Sequence, residues 1–207
     1  MPHAKCDGGL NIWRLPDQYC ADNENDIDIA NRNLQTAISA FENPDSINAE
    51  VLKKGVRRSI YRANISGKLY VIKSFPLIRF KSKRKFKKYA YQEVVNAVKA
   101  RGSGIATPGY YIYFEHKSYW MVNCCGVIIQ DLKGFTELTT LIQEDQNALL
   151  FAIPILISLY QKGVNHIDIT PSNIFVDSAN PKSNYKIIDW QYCSFHPPFN
   201  SSQLIVL

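Results

Sequence analysis

Three polar side chains that could bind a metal ion flank two short apolar segments near the carboxyl end of the chain. Asp168 and Asn173 precede the first segment, Ile174-Phe175-Val176, and Asp189 follows the second, Tyr185-Lys186-Ile187-Ile188. Both segments are rich in β-forming residues and a Pro- and Ser-containing stretch separates them, so we predict an antiparallel hairpin. Such a hairpin brings the three polar side chains together at one end.

Two carboxylates and an amide oxygen are hard ligands of the kind that Mg²⁺ prefers. Placed together, they can hold Mg²⁺ and leave one of the two Asp side chains to orient a substrate hydroxyl group. Residues of these types also fall at this spacing by chance. The prediction therefore depends on the elements that precede the hairpin.

Strand-like segments in the first half of the chain lead to a lysine. Residues 51–52 and 59–63 have the pattern of strands, and a turn at Gly67 connects them to the segment Lys68–Phe75, which contains Lys73. Glycine can supply the positive φ that a tight hairpin needs. Lys73 is either an edge residue that faces water or a residue whose ammonium group is held by a carboxylate.

Glu93 is the natural carboxylate partner for Lys73. It lies in residues 89–99, which have apolar positions at helical spacing, and the predicted helix ends near Gly102 or Gly104. Glu93 is the only acidic residue between Lys73 and residue 115. The alternative is an ordinary helix glutamate that faces solvent.

Further strands follow this helix. Residues 110–115, 117–122 and 127–130 predict a three-stranded meander that would complete a five-stranded sheet. Residues 130–134 then form a connector, and residues 147–161 predict a helix that ends at Gly163. The order of elements is therefore an antiparallel sheet followed by helices and the polar hairpin.

The segment Arg79–Lys88 is strongly basic, with seven basic residues in ten and with Phe80 and Phe86 between them. The simplest interpretation is a solvated start of the helix. A density this high also attracts phosphates, so an anionic glycolipid or membrane surface is a candidate partner. A nucleic-acid patch is a weaker alternative, because no recognised nucleic-acid fold accompanies the segment, and we expect no nucleic-acid partner.

Composition limits the remaining choices. The 207 residues carry a formal net charge of +6, and 46% are hydrophobic, which indicates a folded, basic protein of one or two domains. The five cysteines form no C-x-x-C pair, as in reduced cytosolic proteins. No signal-peptide core follows Met1, and no apolar stretch is long enough to span a bilayer. We expect a cytoplasmic protein that can lie at the inner face of a membrane.

Residues 1–48 are polar, rich in Asn and Asp, and show little strand character. We predict an N-terminal extension with one short helix over Asn33–Phe41 and assign it no chemistry. The acidic stretch Asp22–Asp28 lacks the Gly and Glu of a calcium-binding EF-hand loop, so it is interpreted as a solvated loop.

The motifs together resemble the protein-kinase-like superfamily. His166, Asp168 and Asn173 match H-x-D-x-x-x-x-N, Asp189-Trp190-Gln191 stands at the D-F-G position, and Tyr70-Val71-Ile72-Lys73 stands at the V-A-I-K position. The resemblance covers about residues 50 to 195. It implies an α+β, two-lobed protein-kinase-like fold with an antiparallel small-lobe sheet and a shortened helical large lobe.

The resemblance also implies roles for these residues. Lys73 and Glu93 would position ATP, Asp168 would accept the hydroxyl proton, and Asn173 with Asp189 would bind Mg²⁺. The connector would offer backbone groups of Gln130 and Leu132 to adenine. The implied domains are the extension 1–48, an N-lobe over 49–130 and a truncated C-lobe over 131–207.

Within the superfamily, the chain is most similar to bacterial lipopolysaccharide core kinases, the heptose and Kdo kinases. In those proteins a basic segment and a Tyr-rich helix with the glutamate follow the strand lysine, as in Lys73 to Glu93 here. The phrase Ile187-Ile188-Asp189-Trp190-Gln191 also resembles small-molecule kinases. Both similarities imply an anionic glycolipid or sugar as the acceptor of phosphate.

The chain departs from the common kinase pattern in three ways. It has no G-x-G-x-x-G between the first strands, only Gly55 among basic residues, and Ile167 replaces the Arg of H-R-D. Only 18 residues follow Asp189, which leaves no activation segment. A minimal protein Ser/Thr kinase and an inactive pseudokinase therefore remain as alternatives to the glycolipid kinase.

Overall fold

The computed structural model describes residues 3–6, 9–14, 49–65, 67–177, 180 and 184–197. The chain forms two compact units. The first comprises Met1–Val94 and Pro108–Asp131, and the second comprises Val95–Thr107 and Leu132–Leu207. Residues 95–107, which the sequence analysis assigned to the N-lobe, thus belong to the second unit.

The first unit is built on an antiparallel sheet that has seven strands within the described residues. Its order is β1-β2-β6-β7-β5-β4-β3, and every neighbouring pair is antiparallel. The strands are β1 (His3–Cys6), β2 (Leu10–Arg14), β3 (Glu50–Lys54), β4 (Ser59–Ile65), β5 (Lys68–Pro76), β6 (Tyr110–Ser118) and β7 (Met121–Gln130). The antiparallel sheet predicted from the sequence is confirmed.

β5 lies inside this sheet, between β7 and β4. Gly67 has φ +84 and makes the β4–β5 turn, as predicted, because glycine lacks the Cβ that disfavours this conformation. Tyr70 and Ile72 of β5 are buried in an apolar cluster with Ile112, Phe114 and residues of the neighbouring strands. This cluster fixes the position of β5 and therefore of Lys73, which follows Ile72.

The expectation that the N-terminal extension lacks strands is wrong for β1 and β2. Both strands lengthen the sheet at the free side of β6, and Ile12 of β2 is buried. A strand that adds to an edge is held mainly by backbone hydrogen bonds, so it needs few apolar side chains and leaves a weak pattern in the sequence. The helix predicted over Asn33–Phe41 lies outside the described residues.

The predicted three-stranded meander is also corrected. β6 and β7 are two long strands joined by a turn at Tyr119 and Trp120, so the strand expected over residues 117–122 is divided by that turn. Tyr119 has φ +57, and these two side chains are 99% and 79% exposed. Aromatic residues favour strands on average, which is why Tyr119 and Trp120 were predicted to lie in one. In the structure they form the turn that allows β6 and β7 to pair along their length.

Helices follow β5. Basic residues form the short α1 (Phe80–Arg84) and a 3₁₀ turn (Phe86–Lys88), and α2 (Ala90–Gly102) ends where the sequence predicted. Ala90, Val94 and Ala97 of α2 are buried, as their helical spacing indicated. The boundary between the two units falls within α2, after Val94.

The second unit combines helices with short strands. Its further elements are β8 (Phe135–Glu137), α3 (Leu138–Glu144), a 3₁₀ helix (Gln146–Phe151), α4 (Ala152–Gln161), β9 (Val164–His166), a 3₁₀ turn (Pro171–Asn173), β10 (Ile174–Asp177), β11 (Tyr185–Ile187) and β12 (Cys193–Phe195). β11, β10 and β8 form one sheet, and β12 pairs with β9. The predicted hairpin is confirmed, because Ile174 pairs with Ile187 and Val176 with Tyr185.

The helix expected over residues 147–161 is a 3₁₀ helix followed by α4. Pro154 lies in the first turn of α4, and its missing N–H cannot continue an α-helical ladder from the preceding residues. The α-helix therefore begins within one turn of Pro154. No helix of the described residues is both long and apolar enough to cross a bilayer.

Candidate active site

Lys73 and Glu93 form a buried ion pair in the first unit. Lys73 Nζ lies 2.8 Å from Glu93 Oε2, and the two residues are 5% and 1% exposed. Lys73 therefore does not face water at a sheet edge. β5 supplies the lysine and α2 supplies the glutamate, and the pairing predicted from the sequence is present.

Tyr110 is a third member of this group that the sequence analysis missed. Its hydroxyl group donates a hydrogen bond of 3.1 Å to Glu93 Oε1, and both side chains are buried. A buried carboxylate is expensive to desolvate unless its oxygens have partners, and here Lys73 and Tyr110 serve one oxygen each. No local sequence pattern links Tyr110 to Glu93, since they lie on different elements.

The connector after β7 is anchored by Arg62 of β4. Arg62 Nε donates to Asp131 Oδ2 at 2.7 Å, and the Asp131 side chain is 3% exposed. The hydrogen bond to Asp131 raises the pKa of the Arg62 guanidinium, which keeps it charged. The sequence analysis assigned no role to either residue, and this bond holds the first connector residue against the sheet.

The structure restricts how Gln130 and Leu132 could bind adenine. The Gln130 N–H donates to the Gly109 carbonyl at 2.8 Å, and the Gln130 side chain accepts a bond of 3.0 Å from the Gly109 N–H. In the second unit, the Leu132 carbonyl accepts a bond of 2.9 Å from the Phe135 N–H. The Gln130 N–H is thus committed within the protein, so a backbone contact from Gln130 to adenine would need its carbonyl oxygen.

In the second unit, Asn173 is bound to the loop that carries Asp168. Asn173 Nδ2 donates to the Asp168 backbone oxygen at 2.8 Å and reaches Asp168 Oδ2 at 3.4 Å. Asn173 is buried, whereas Asp168 is exposed. The contact engages Nδ2, so Asn173 Oδ1 is the atom of this amide group that could bind a metal ion. The Asp168 side chain remains exposed to solvent.

Asp189 lies directly after a residue that is hydrogen-bonded to Asn173. The Ile188 N–H donates to the Asn173 carbonyl at 3.0 Å, which links the two ends of the hairpin. Asp189 has φ +62, a left-handed conformation that a non-glycine residue adopts at a cost in energy. Such conformations concentrate at functional sites, and the backbone of this residue is held by its neighbours rather than by its own preference.

His166 is hydrogen-bonded to Ile188, the residue that precedes Asp189. Its Nε2 lies 3.1 Å from the Ile188 carbonyl, which can only accept, so the Nε2 atom carries the proton. Burial lowers the pKa of His166 below its ordinary 6.5, although the bond to Ile188 and the nearby Asp189 and Asp168 act in the opposite direction. His166 is therefore a neutral, structural imidazole at pH 7.

Trp190 and Asn96 fix the segment after Asp189. The Trp190 indole N–H donates to the Ile187 carbonyl at 2.8 Å, and its ring packs edge to face on His166 with centroids 4.8 Å apart. Asn96 of α2 donates to the Trp190 carbonyl at 2.8 Å. The sequence analysis assigned no role to Asn96, whose partner lies far along the chain.

The oxygen ligands that Asn173 and Asp189 offer suit a magnesium ion that also binds the phosphates of a substrate. Among the described residues there is no group of three or more His, Cys, Asp or Glu that could hold a metal ion alone. Mg²⁺ commonly uses only one or two protein oxygens together with substrate phosphates. Asn173 Oδ1 and the Asp189 carboxylate are hard oxygen ligands of this kind, so these two residues are suited to hold Mg²⁺ together with phosphates.

Comparison with known proteins supports the fold. No family model matches the chain, and no curated protein does. A solved structure of WaaP in complex with acyl carrier protein matches with a TM-score of 0.55 and 18% sequence identity, over 78% of this chain and 68% of that chain. The chain thus has the α+β, two-lobed protein-kinase-like fold that its motifs indicated.

Proposed function

We propose that this protein is a phosphotransferase that moves the γ-phosphate of Mg·ATP to a sugar hydroxyl of lipopolysaccharide core or a similar anionic glycolipid. The proposal rests on the hydrogen bonds of Asn173. Its side chain donates to the Asp168 carbonyl, and its own carbonyl accepts from the N–H of Ile188, the residue before Asp189. The kinase-like fold supports the proposal.

In this proposal some site residues bind the nucleotide and the metal ion, and Asp168 positions the acceptor hydroxyl group. Lys73, held by Glu93, binds the α- and β-phosphates, and backbone groups of Gln130 and Leu132 contact adenine. Asn173 and Asp189 hold Mg²⁺, which neutralises charge on the phosphates. The exposed Asp168 carboxylate accepts a hydrogen bond from the acceptor hydroxyl and takes its proton as phosphate is transferred.

The basic segment Arg79–Lys88 supports an anionic acceptor at a membrane surface. Its seven basic residues stand beside two exposed apolar side chains, Ile78 at 70% and Phe80 at 58% exposure. Each basic residue near an anionic leaflet contributes about 1 kcal/mol, and the apolar side chains can enter the interface. We therefore propose peripheral contact with the cytoplasmic face of a membrane.

The membrane contact is tested with vesicles. Wild-type protein should sediment with phosphatidylglycerol vesicles and much less with phosphatidylcholine vesicles at physiological salt. Lys81→Glu combined with Lys85→Glu should abolish that difference, whereas the same two charge reversals at Lys53 and Lys54 of β3 should change it little. Equal binding of both variants would contradict a role for this segment.

The test of the reaction is transfer of labelled γ-phosphate from ATP to dephosphorylated lipopolysaccharide core, with myelin basic protein as a protein acceptor. Wild type is compared with Asp168→Asn and Asp189→Asn. We expect label on the glycolipid and its loss in both variants, with Mg·ATP binding weakened only in Asp189→Asn. Asp168 is exposed, so its variant should fold normally.

The other outcomes decide among the alternatives. Label only on the protein acceptor would indicate a minimal protein Ser/Thr kinase. Label on neither acceptor, together with no binding of Mg·ATP, would indicate a pseudokinase whose fold serves binding alone. Either result contradicts the glycolipid kinase.

A further inference from the structure

A pocket in the first unit is lined by aromatic and charged side chains that the proposed phosphoryl transfer does not use. Its volume is about 370 Å³, and its aromatic residues are Trp13, Phe86, Tyr91 and Tyr113. Trp13 comes from β2, Tyr113 from the adjacent β6, and Tyr91 from α2. β2, which was not expected to be a strand, therefore contributes Trp13 to the pocket.

The rings of Trp13, Tyr113 and Tyr91 form one continuous aromatic surface, called here the aromatic floor, with no gap between neighbouring rings. Trp13 and Tyr113 have centroids 5.2 Å apart at an interplanar angle of 34°, and Tyr91 meets Tyr113 edge to face at 5.6 Å. Because neighbouring rings already touch, no flat group can enter between them. Tyr113 is buried, so a ligand can pack against the accessible faces of Trp13 and Tyr91, whose partial negative charge attracts the C–H groups of a saturated ring.

A buried carboxylate lies beside this floor. Glu115 is 5% exposed and accepts a hydrogen bond of 2.8 Å from the Tyr113 hydroxyl group. Lys117 Nζ lies 3.3 Å from its other oxygen. Burial, and next the charge of Glu115, raise the pKa of Tyr113, so this phenol keeps its proton and remains a donor. Glu115 has further lone pairs that can accept from sugar hydroxyl groups.

The charge balance of the pocket selects against cations. Lys117 is neutralised by Glu115, whereas Lys87 adds a positive charge at the rim, 5.7 Å from the Tyr91 ring centre. A cation bound beside Tyr91 would be repelled by the Lys87 ammonium group, which carries the same charge. The same lysine is well suited to an anionic substituent, through a charge-assisted hydrogen bond.

We infer that this pocket binds an anionic sugar, with the sugar ring on Trp13 and Tyr91, its hydroxyl groups at Glu115 and its anionic group at Lys87. Phe86 and Lys87 also belong to the basic segment Arg79–Lys88, so the pocket opens beside the region proposed to contact anionic glycolipid. The inference deepens the proposed function and rests on it for the source of the sugar. The binding itself is independent of phosphoryl transfer.

The test measures binding of glucose 6-phosphate by titration calorimetry and saturation-transfer NMR, without ATP or Mg²⁺. We expect glucose 6-phosphate to bind about tenfold more tightly than glucose or inorganic phosphate alone, since each supplies only one half of the interaction. Lys87→Gln should weaken glucose 6-phosphate binding about tenfold and leave glucose binding unchanged. Lys85→Gln removes the same charge two residues away, outside the pocket, and should have little effect.

The aromatic floor is tested by Tyr91→Leu, which changes a partly exposed side chain, and by Trp13→Leu. Both should weaken glucose and glucose 6-phosphate binding alike. Equal effects of Lys87→Gln and Lys85→Gln, tighter binding of AMP than of glucose 6-phosphate, or no binding by the wild type would each overturn the inference. Because no ATP is present, those results would leave the proposed reaction standing, and an inactive enzyme that binds the sugar would contradict only that reaction.

Discussion

The ammonium group of Lys73 and the carboxylate of Glu93 lie 2.8 Å apart in the first unit, and their side chains are only 6% and 1% exposed. A central strand and a helix supply one residue each. Removing one partner of such a pair leaves an uncompensated buried charge, whereas removing both leaves none. The pair should therefore show strong coupling in stability as well as in nucleotide binding.

Glu93→Met and Lys73→Met should each lower the free energy of unfolding by about 3 to 5 kcal/mol, because each leaves the other charge buried without its partner. The double variant Lys73→Met with Glu93→Met should cost less than the sum of the single changes. Urea unfolding measures all three. Tyr110→Phe is the control: it removes one hydrogen bond to the buried carboxylate but no charge, and it should cost about 1 to 3 kcal/mol. Additive single effects would mean that the pair is not coupled.

Asp189 combines a carboxylate with a left-handed backbone, and two substitutions separate these features. Asn tolerates this conformation, whereas Ala does not, so Asp189→Ala should be about 1 to 2 kcal/mol less stable than Asp189→Asn. Both variants should weaken Mg²⁺-dependent binding of ATP, and Asp189→Ala should weaken it more, because Asn keeps a neutral oxygen ligand and Ala has none. Retention of that binding in Asp189→Ala would remove Asp189 from the metal site.

Acid should destabilise the protein through His166. Its pKa in the folded state lies below the 6.5 of the unfolded chain, chiefly because of burial. As the pH falls below about 6.5, the unfolded state takes up this proton first, so the free energy of unfolding decreases until the folded pKa is reached. Urea unfolding between pH 7 and 5.5 should show this loss, and His166→Gln should show a smaller slope. Equal slopes would argue against a neutral buried imidazole.

Gly126 leaves room for Phe114 and for the backbone of Lys73. A Cβ at this position would lie 2.2 Å from the Phe114 ring and 2.6 Å from the Lys73 carbonyl oxygen. Gly126→Ala should therefore lower the free energy of unfolding by about 1 to 3 kcal/mol and weaken ATP binding by displacing Lys73. Gly102→Ala is the matched control in α2, where a Cβ meets nothing within 4 Å and should stabilise the helix by up to about 1 kcal/mol. Equal stability of the two variants would contradict the proposed close approach.

Local patterns in the sequence were sufficient to predict the strand, helix and hairpin that contain the proposed site residues. β-branched and aromatic residues and a turn glycine predicted β5, helical spacing predicted α2, and two β-rich runs predicted the hairpin between Asn173 and Asp189. These features depend on neighbours within a few residues, where side-chain direction and backbone preference act directly. Glu93 was identified as the partner of Lys73 on another ground, because it is the only acidic residue between Lys73 and residue 115 and lies on the predicted helix.

Only the tertiary structure decided which distant groups support those residues. Tyr110 binds Glu93, Arg62 binds Asp131, and Asn96 binds the Trp190 carbonyl, all between elements whose separation along the chain carries no pattern. β2 joined the sheet through backbone bonds that any sequence can make, and it brought Trp13 to Tyr113. The left-handed backbone of Asp189 likewise follows from its surroundings, because the residue by itself prefers another conformation.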